Sequence, residues 1–221
     1  DDVILGGGCA GLSLAARLAE PGFADRRVLV IEPRRQYQRD RTWCFWDGLP
    51  GGDLPPWLEG AVAHRWSAWS VRVGGRVHLH RSAGMRYCEL PADRFYEAAL
   101  TRIGNAAHVE QRLGVRALTV RETPERVEVE TDAGRVFAQR VFDARRGELP
   151  PASLAGGLLQ HFVGLRVRTA DPVFEEDTVT LMDFDVSQKH GIHFLYALPY
   201  APCEALVEST FFSPSLLPKE T

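Results

Sequence analysis

The sequence predicts an α/β chain in which a parallel crossover unit is followed by antiparallel β structure. Three observations carry that prediction. A short apolar run, Asp2-Val3-Ile4-Leu5, leads into Gly6-Gly7-Gly8-Cys9-Ala10-Gly11 and then an Ala/Leu-rich helix to about Glu20, where Pro21-Gly22 stops it. A second apolar run, Val28-Leu29-Val30-Ile31, ends at Glu32, which completes the strand, glycine turn, helix, strand order of a parallel crossover. The rest of the chain is broken into short alternating runs by turn residues, the pattern of antiparallel sheets.

Taken in order, Pro33 to about Leu58 is rich in Arg, Gly, Pro and Trp with little periodicity, and reads as an ordered loop. Trp66 to His80 reads as a hairpin around Gly74-Gly75, and Pro91 to Ile103 as an amphipathic helix. Val115 to Arg121, Arg126 to Thr131 and Arg135 to Phe142 predict a three-stranded meander, with Asp132-Ala133-Gly134 as its second turn. After Asp143 a Pro/Gly-containing link, Gly147 to Gly157, leads to strand candidates at Gln160 to Arg168, Thr178 to Asp183, His193 to Leu198 and Ala205 to Phe211. The expected domains are therefore 1–150, with part of 60–100 joining the other domain, and an incomplete β-rich 151–221. The chain stops at Lys219-Glu220-Thr221 soon after a strand that wants a neighbour, so a truncated chain is expected.

Composition narrows the function classes. With 221 residues, 45% hydrophobic and 25% charged, the chain can bury a substantial core. A net charge of −3 without a dense basic stripe argues against nucleic acid as a partner. Cys9, Cys44, Cys88 and Cys203 form no CxxC pair, so no zinc site or disulfide framework is expected, and isolated thiols fit a reducing cytoplasm. His190 and His193 lack a third ligand at metal spacing. No run of 18 apolar residues is present, so any membrane contact is expected to be peripheral.

Gly6, Gly8 and Gly11 match GxGxxG at the strand-to-helix junction. The first glycine permits the tight turn, the second lets backbone approach a pyrophosphate, and the third lets helix and strand pack closely. The unpaired N–H groups at the helix start stabilise a diphosphate without any lysine. Glu32, at the tip of the second strand, is placed to accept hydrogen bonds from the hydroxyls of an adenosine ribose and disfavours a 2′-phosphate. This predicts dinucleotide binding; the fingerprint does not separate FAD from NAD.

The segment from Val3 to Ala15 resembles the start of flavoproteins of the glutathione-reductase and hydroxylase type, which implies FAD and a Rossmann-like FAD/NAD(P)-binding fold with an antiparallel substrate domain. Four further segments resemble the bacterial lycopene β-cyclases, and in the same order. They are Arg41-Thr42-Trp43-Cys44-Phe45-Trp46, Val141-Phe142-Asp143-Ala144-Arg145, Met182-Asp183-Phe184-Asp185-Val186-Ser187-Gln188, and Tyr196-Ala197-Leu198-Pro199 with Ala205-Leu206-Val207-Glu208-Ser209-Thr210-Phe211-Phe212. Two departures stand out: Arg146 precedes Gly147 where the family has Gly or Pro directly after its Asp-x-Arg, and a later flavin segment and helical C-terminal part are absent.

The resemblance implies an acyclic carotenoid substrate, lycopene, whose ends are cyclised without net redox change. It implies reduced FAD as cofactor, NAD(P)H as the reductant that maintains it, and peripheral contact with a membrane. It assigns the essential carboxylate to Glu208, with Asp183 second, and the cofactor contacts to Arg41 and Asp143 beside the glycines and Glu32. Read from the residues alone, Glu208 is equally a solvated strand acid, Asp183 and Asp185 can face water on a half-buried strand, and Arg34, Arg35, Arg39 and Arg41 can form a solvated basic loop. Trp43, Phe45 and Trp46 can shield cofactor or carotene, or simply fill core. Two other functions fit the same pattern: an FAD-dependent monooxygenase or isoprenoid reductase, separable by oxygen uptake or stoichiometric nicotinamide consumption, and a non-catalytic dinucleotide- or carotenoid-binding protein.

Overall fold

A computed structural model describes residues 1–49, 54–145 and 157–218. The elements run β1 (Asp2–Leu5), α1 (Cys9–Leu18), β2 (Val28–Glu32), β3 (Thr42–Asp47), β4 (His64–Trp66), β5 (Ala68–Val73), β6 (Arg76–Arg81), β7 (Arg86–Pro91), α2 (Ala92–Gly104) and β8 (Val109–Leu113). They continue with β9 (Ala117–Glu122), β10 (Val127–Thr131), β11 (Gly134–Ala138), β12 (Arg140–Asp143), β13 (Leu159–Arg168), β14 (Thr178–Asp183), β15 (Ile192–Ala201) and β16 (Glu204–Ser213). The chain divides into two compact units. One comprises Asp1–Trp43, Pro55–Val62 and Leu90–Gly147; the other comprises Cys44–Leu54, Ala63–Glu89 and Glu148–Thr221. The boundary expected near residue 150 and the Arg146-Gly147 departure lie outside the described residues.

The first unit is built on a parallel sheet of order β12-β1-β2-β8. All four residues of β1 are buried, as a continuous apolar run covered on both faces requires. Val3, Leu5 and Ile31 pack on Ala117, Val129 and Ala138 of the β9–β11 meander, which covers one face. Ile4 has the opposite parity and turns towards α1, which buries Leu12, Ala15, Ala16 and Leu18. Asp2 is buried with a carboxylate held by the Nε of Arg26 at 2.7 Å and of Arg140 at 2.9 Å, so two guanidinium groups neutralise a charge that burial would otherwise penalise.

Two expectations need correction here. The run 135–142 is not one strand: the N–H groups of Gln139 and Arg140 both donate to the Asp1 carbonyl, and the chain leaves the meander to become β12, parallel to β1. The stretch 33–58 is not all loop, because Thr42–Asp47 forms β3. Its partner β7 lies far along the chain, so no local turn announces it.

The second unit has a six-stranded sheet of order β13-β16-β15-β14-β5-β6 and a smaller sheet β3-β7-β4. The expected hairpin at Gly74-Gly75 is β5–β6, and both glycines have positive φ, 59° and 74°, as a type I′ turn demands. The strand near the end expected to want a neighbour, β16, lies between β13 and β15 and has one on each side. Trp66, Val179 and Leu198 form the buried core of this unit, and the Trp66 indole N–H donates to the Pro199 carbonyl at 2.9 Å. Pairing of β14 slips at Leu181: Thr180 aligns with Ser70, Met182 with Val71 and Asp183 with Arg72. This bulge reverses the facing of everything after it.

Candidate functional site

The glycine turn of the first unit has the features that a diphosphate needs. Gly8 is the N-cap of α1 with no side-chain cap, no acidic residue occupies the first turn, and a Cβ at Gly8 would meet nothing within 4 Å. At Gly11 a Cβ would collide with the Gly6 carbonyl oxygen and lie 3.3 Å from Ile4 Cγ2, so glycine is what lets α1 sit on the strand. At Gly6 a Cβ would press on the Ala144 carbonyl carbon at 3.2 Å, which places the turn beside the end of β12. The loop thus lies at the carboxyl ends of neighbouring parallel strands β1 and β12, where open α/β sheets bind ligands.

Glu32 is buried next to this turn. Its Oε2 accepts the Gly7 N–H at 2.6 Å, and its Oε1 accepts the Arg34 backbone N–H at 2.8 Å and side-chain Nε–H at 2.9 Å. Burial alone would raise this carboxyl, but the hydrogen bonds from Arg34 and Gly7 outweigh it and hold the group ionised, below its ordinary range. A fourth contact, from Arg34 Nη2 to Oε2, is the longest at 3.4 Å and is the one that a ribose hydroxyl would replace. The residues present fit the adenosine end of a dinucleotide.

Arg34 was read from the sequence as part of a solvated loop, yet it ties the site together. It also donates to the Gly7 carbonyl at 3.0 Å and to the Tyr96 hydroxyl at 3.1 Å, and its guanidinium lies 4.8 Å from the Tyr37 ring centroid. Tyr37 in turn accepts from Gln111 at 2.9 Å, and burial pushes its phenol well above the ordinary range. A Glu and an Arg two apart at a strand end are a legible signal for Arg34; nothing local announces Tyr37 or Tyr96. Arg41 points elsewhere: it is exposed and 3.5 Å from Asp40, while its carbonyl accepts from Ala92. Asp143, at the end of β12, is chelated by Arg145, with Nε to Oδ1 at 2.9 Å and Nη2 to Oδ2 at 2.7 Å; the Arg145 hydrogen bonds hold its carboxyl below the ordinary range.

In the second unit Glu208 occupies the middle of β16, aligned with Tyr196 of β15 on one side and Gly164 of β13 on the other. The face it shares with Tyr196, Leu198 and Leu206 packs into the aromatic core with Trp69, Tyr87 and Cys44. The Tyr196 hydroxyl donates to that of Tyr87 at 3.1 Å, and Trp46 stands edge-on to Trp69 at 4.7 Å and tilted against Tyr87 at 4.8 Å. Burial raises the titratable groups that line it: the Cys44 thiol is pushed up to about 11, the Tyr87 phenol up to about 12 and the Tyr196 phenol higher still. Burial likewise raises the half-buried Glu208 carboxyl, with no opposing hydrogen bond or counter-charge among the described residues. A second buried carboxylate, Glu89, accepts from the Tyr200 hydroxyl at 3.1 Å. An acid whose proton is held more tightly by burial, set among aromatic faces, is suited to protonate an apolar substrate, and the rings to stabilise the resulting cation.

Asp183 is not brought to Glu208. The slip at Leu181 aligns Asp183 with Leu195, whereas Glu208 aligns with Tyr196, so the two carboxylates leave opposite faces of the sheet. Asp183 instead lies 3.6 Å from Arg72 and accepts from the Asp185 N–H at 3.0 Å. His193 is held between the Ser187 carbonyl at 3.1 Å and the Ser209 hydroxyl at 2.9 Å, in contact with the Phe211 ring. Trp43 stands edge-on to Phe95 at 5.2 Å and Trp46 belongs to the Glu208 face, so the aromatic cluster of the Arg41–Trp46 segment is split between the two units.

Comparison with solved structures returns this fold. The p-nitrophenol 4-monooxygenase PnpA from Pseudomonas putida DLL-E4 superposes with a TM-score of 0.66 at 15% identity, over 99% of this chain and 59% of that one. The halogenase PltM in complex with phloroglucinol and FAD gives 0.64 at 13% identity, over 100% of this chain and 53% of that one. The fold class is therefore the expected Rossmann-like α/β fold with an antiparallel sheet. A lycopene beta-cyclase from Pantoea ananas is 27% identical over 213 residues, covering 96% of this chain and 52% of the relative, so the chain spans about half of that protein's length. The family described as lycopene cyclase protein matches residues 1–221 throughout. With the flavoprotein-like fold, the glycine turn and the aromatic-lined acid all within that match, the chain belongs to the lycopene cyclase family.

Proposed function

We propose that the protein cyclises the acyclic ends of lycopene or a related carotene to β-ionone rings by acid–base chemistry, with the first unit holding FAD and the second supplying the proton. The observation that carries this reading is the Glu208 carboxyl, half-buried and without a counter-charge among the described residues, on a face lined by Tyr196, Tyr87, Trp46 and Trp69. A neutral carboxyl transfers its proton to the terminal double bond; the tertiary cation is attacked by the neighbouring double bond, and loss of a ring proton restores neutrality with no net electron transfer. The aromatic rings of this face stabilise positive charge without competing as bases. Reduced FAD, replenished by NAD(P)H, supplies further cation stabilisation or proton donation when bound. Gly6, Gly8 and Gly11 with the start of α1 hold its diphosphate, and Glu32 with Arg34 its adenosine ribose. Among the described residues no helix is long and apolar enough to cross a membrane, and a long polyene substrate implies peripheral contact with one.

Anaerobic incubation of the full-length protein with lycopene, FAD and a reductant, followed by chromatography of the pigments, tests the reading. Ring-bearing product without net reductant consumption is expected. The likeness to a monooxygenase favours the rival reading of an electron-transferring flavoenzyme. Substrate-linked oxygen uptake, or one nicotinamide consumed per turnover, would move the assignment there.

The cofactor assignment has its own check in Gly8→Asp. Aspartate at this N-cap accepts the free N–H groups of α1, so the apoprotein keeps its stability or gains a few tenths of a kcal/mol. The added charge and bulk occupy the diphosphate position, and FAD affinity measured by fluorescence titration is expected to fall about 100-fold or more, roughly 3 kcal/mol. Unchanged FAD affinity in the folded variant would remove the glycine turn from the binding site.

A further inference from the structure

The alignment of β13 with β16 pairs Gly164 with Glu208, and the two are in close contact. A Cβ built on Gly164 would lie 3.2 Å from both Cγ and Oε1 of Glu208 and 3.4 Å from Leu206 Cδ1. The Glu208 side chain therefore lies back over the Gly164 backbone, close enough that a Cβ there would push it away by a few tenths of an ångström. Gly164 is not there for its dihedral angles, because its φ lies outside the left-handed region. Glycine in a strand interior weakens the strand, so its presence marks a close approach by something else. Here the approaching group is the carboxyl of the proton donor.

We propose that Gly164 is a positioning residue for Glu208: the space left by its missing side chain seats the carboxyl against the sheet, and a Cβ there lifts the carboxyl away from that seat. The inference rests on the reading of Glu208 as the acid. The surroundings make the seat consequential. Tyr196 of β15, Tyr87 of β7 and Cys44 of β3 surround this face as neutral groups. Arg166, on the same face of β13, is engaged by Glu204 at 2.6 Å and lies 4.9 Å from the Tyr200 ring, while Glu89 is held by Tyr200. The nearest cation on β13 is thus committed to another acid, and burial is what raises the Glu208 carboxyl.

In the full-length protein, Gly164→Ala is expected to move the alkaline limb of the pH profile for lycopene conversion down by roughly one unit, a tenfold lower rate on that limb. A merely structural defect would lower the rate equally at every pH and overturn the proposal. Thermal unfolding of Gly164→Ala in the wild-type and Glu208→Ala backgrounds gives an independent reading. The alanine is expected to lower the melting temperature only where Glu208 is present, since removing Glu208 empties the contested space. Equal destabilisation in both backgrounds, including failure of both variants to fold, would show that the glycine serves the backbone and overturn the proposal. If wild type forms no cyclic product, the functional reading fails, while the coupling between positions 164 and 208 still decides whether Gly164 seats this carboxyl.

Discussion

Glu208→Gln in the full-length protein is expected to reduce cyclisation by about 10²- to 10⁴-fold, the range that a positioned general acid contributes. The amide matches the carboxyl in size and keeps the alignment with Tyr196 and Gly164, so FAD binding in the other unit is expected to stay as in wild type. What it cannot do is give a proton to a double bond. The pH dependence has a definite sign. Burial raises the native carboxyl above its unfolded value, so the folded chain binds this proton more tightly. Activity and the stability tied to this proton are therefore fully present at low pH and fall as pH rises through the raised value. Glutamine removes that slope from melting temperature against pH, which circular dichroism can follow. Equal pigment conversion by both proteins would take Glu208 out of the mechanism.

Gly11→Ala is expected to have the largest effect on the fold. The added methyl collides with the Gly6 carbonyl oxygen and crowds Ile4, and both are main-chain or core groups that cannot swing aside. Overpacking at such a junction costs about 3 kcal/mol. The urea midpoint of unfolding is expected to fall accordingly, and flavin to be lost on purification because the turn and helix start move together. The contrast with Gly8→Asp is diagnostic, since one glycine is needed for packing and the other for access. A Gly11→Ala protein that kept its midpoint and its flavin would contradict the close helix–strand approach.

The parts of the fold that could be read from the sequence are those whose cause is local. The β1–α1–β2 unit announces itself through an apolar run, glycines at fixed spacing and an acid at the next strand end. Hairpin β5–β6 is legible because two adjacent glycines supply two positive φ angles. What escaped is non-local. Strand β3 has no turn joining it to β7, and β12 looks like the tail of the meander until Gln139 and Arg140 turn to the Asp1 carbonyl. At the candidate site, the glycines stand in a local motif, while Glu208 is singled out only by the family resemblance. The groups around the acid come from β3, β7 and β15, and only the folded chain gathers Cys44, Tyr87 and Tyr196 on its face. Glu89 carried no signal, because a buried acid held by a distant tyrosine looks like any strand glutamate.

The extra residue at Leu181 acts as a parity switch. Side chains along a strand alternate with period two, and because the bulge absorbs one residue, Asp183 shares the face of Thr180 although three positions separate them. Beyond this point the segment Met182-Asp183 presents the acid to Arg72, on the opposite face from Glu208. Regular pairing through this point, with Leu181 opposite Val71, would set Asp183 opposite Phe194 instead of Leu195 and bring both carboxylates to the same face, where each would raise the proton affinity of the other. Whether the face that carries Glu208 holds one acid or two is thus set by how the chain pairs at Leu181, with no substitution at either carboxylate.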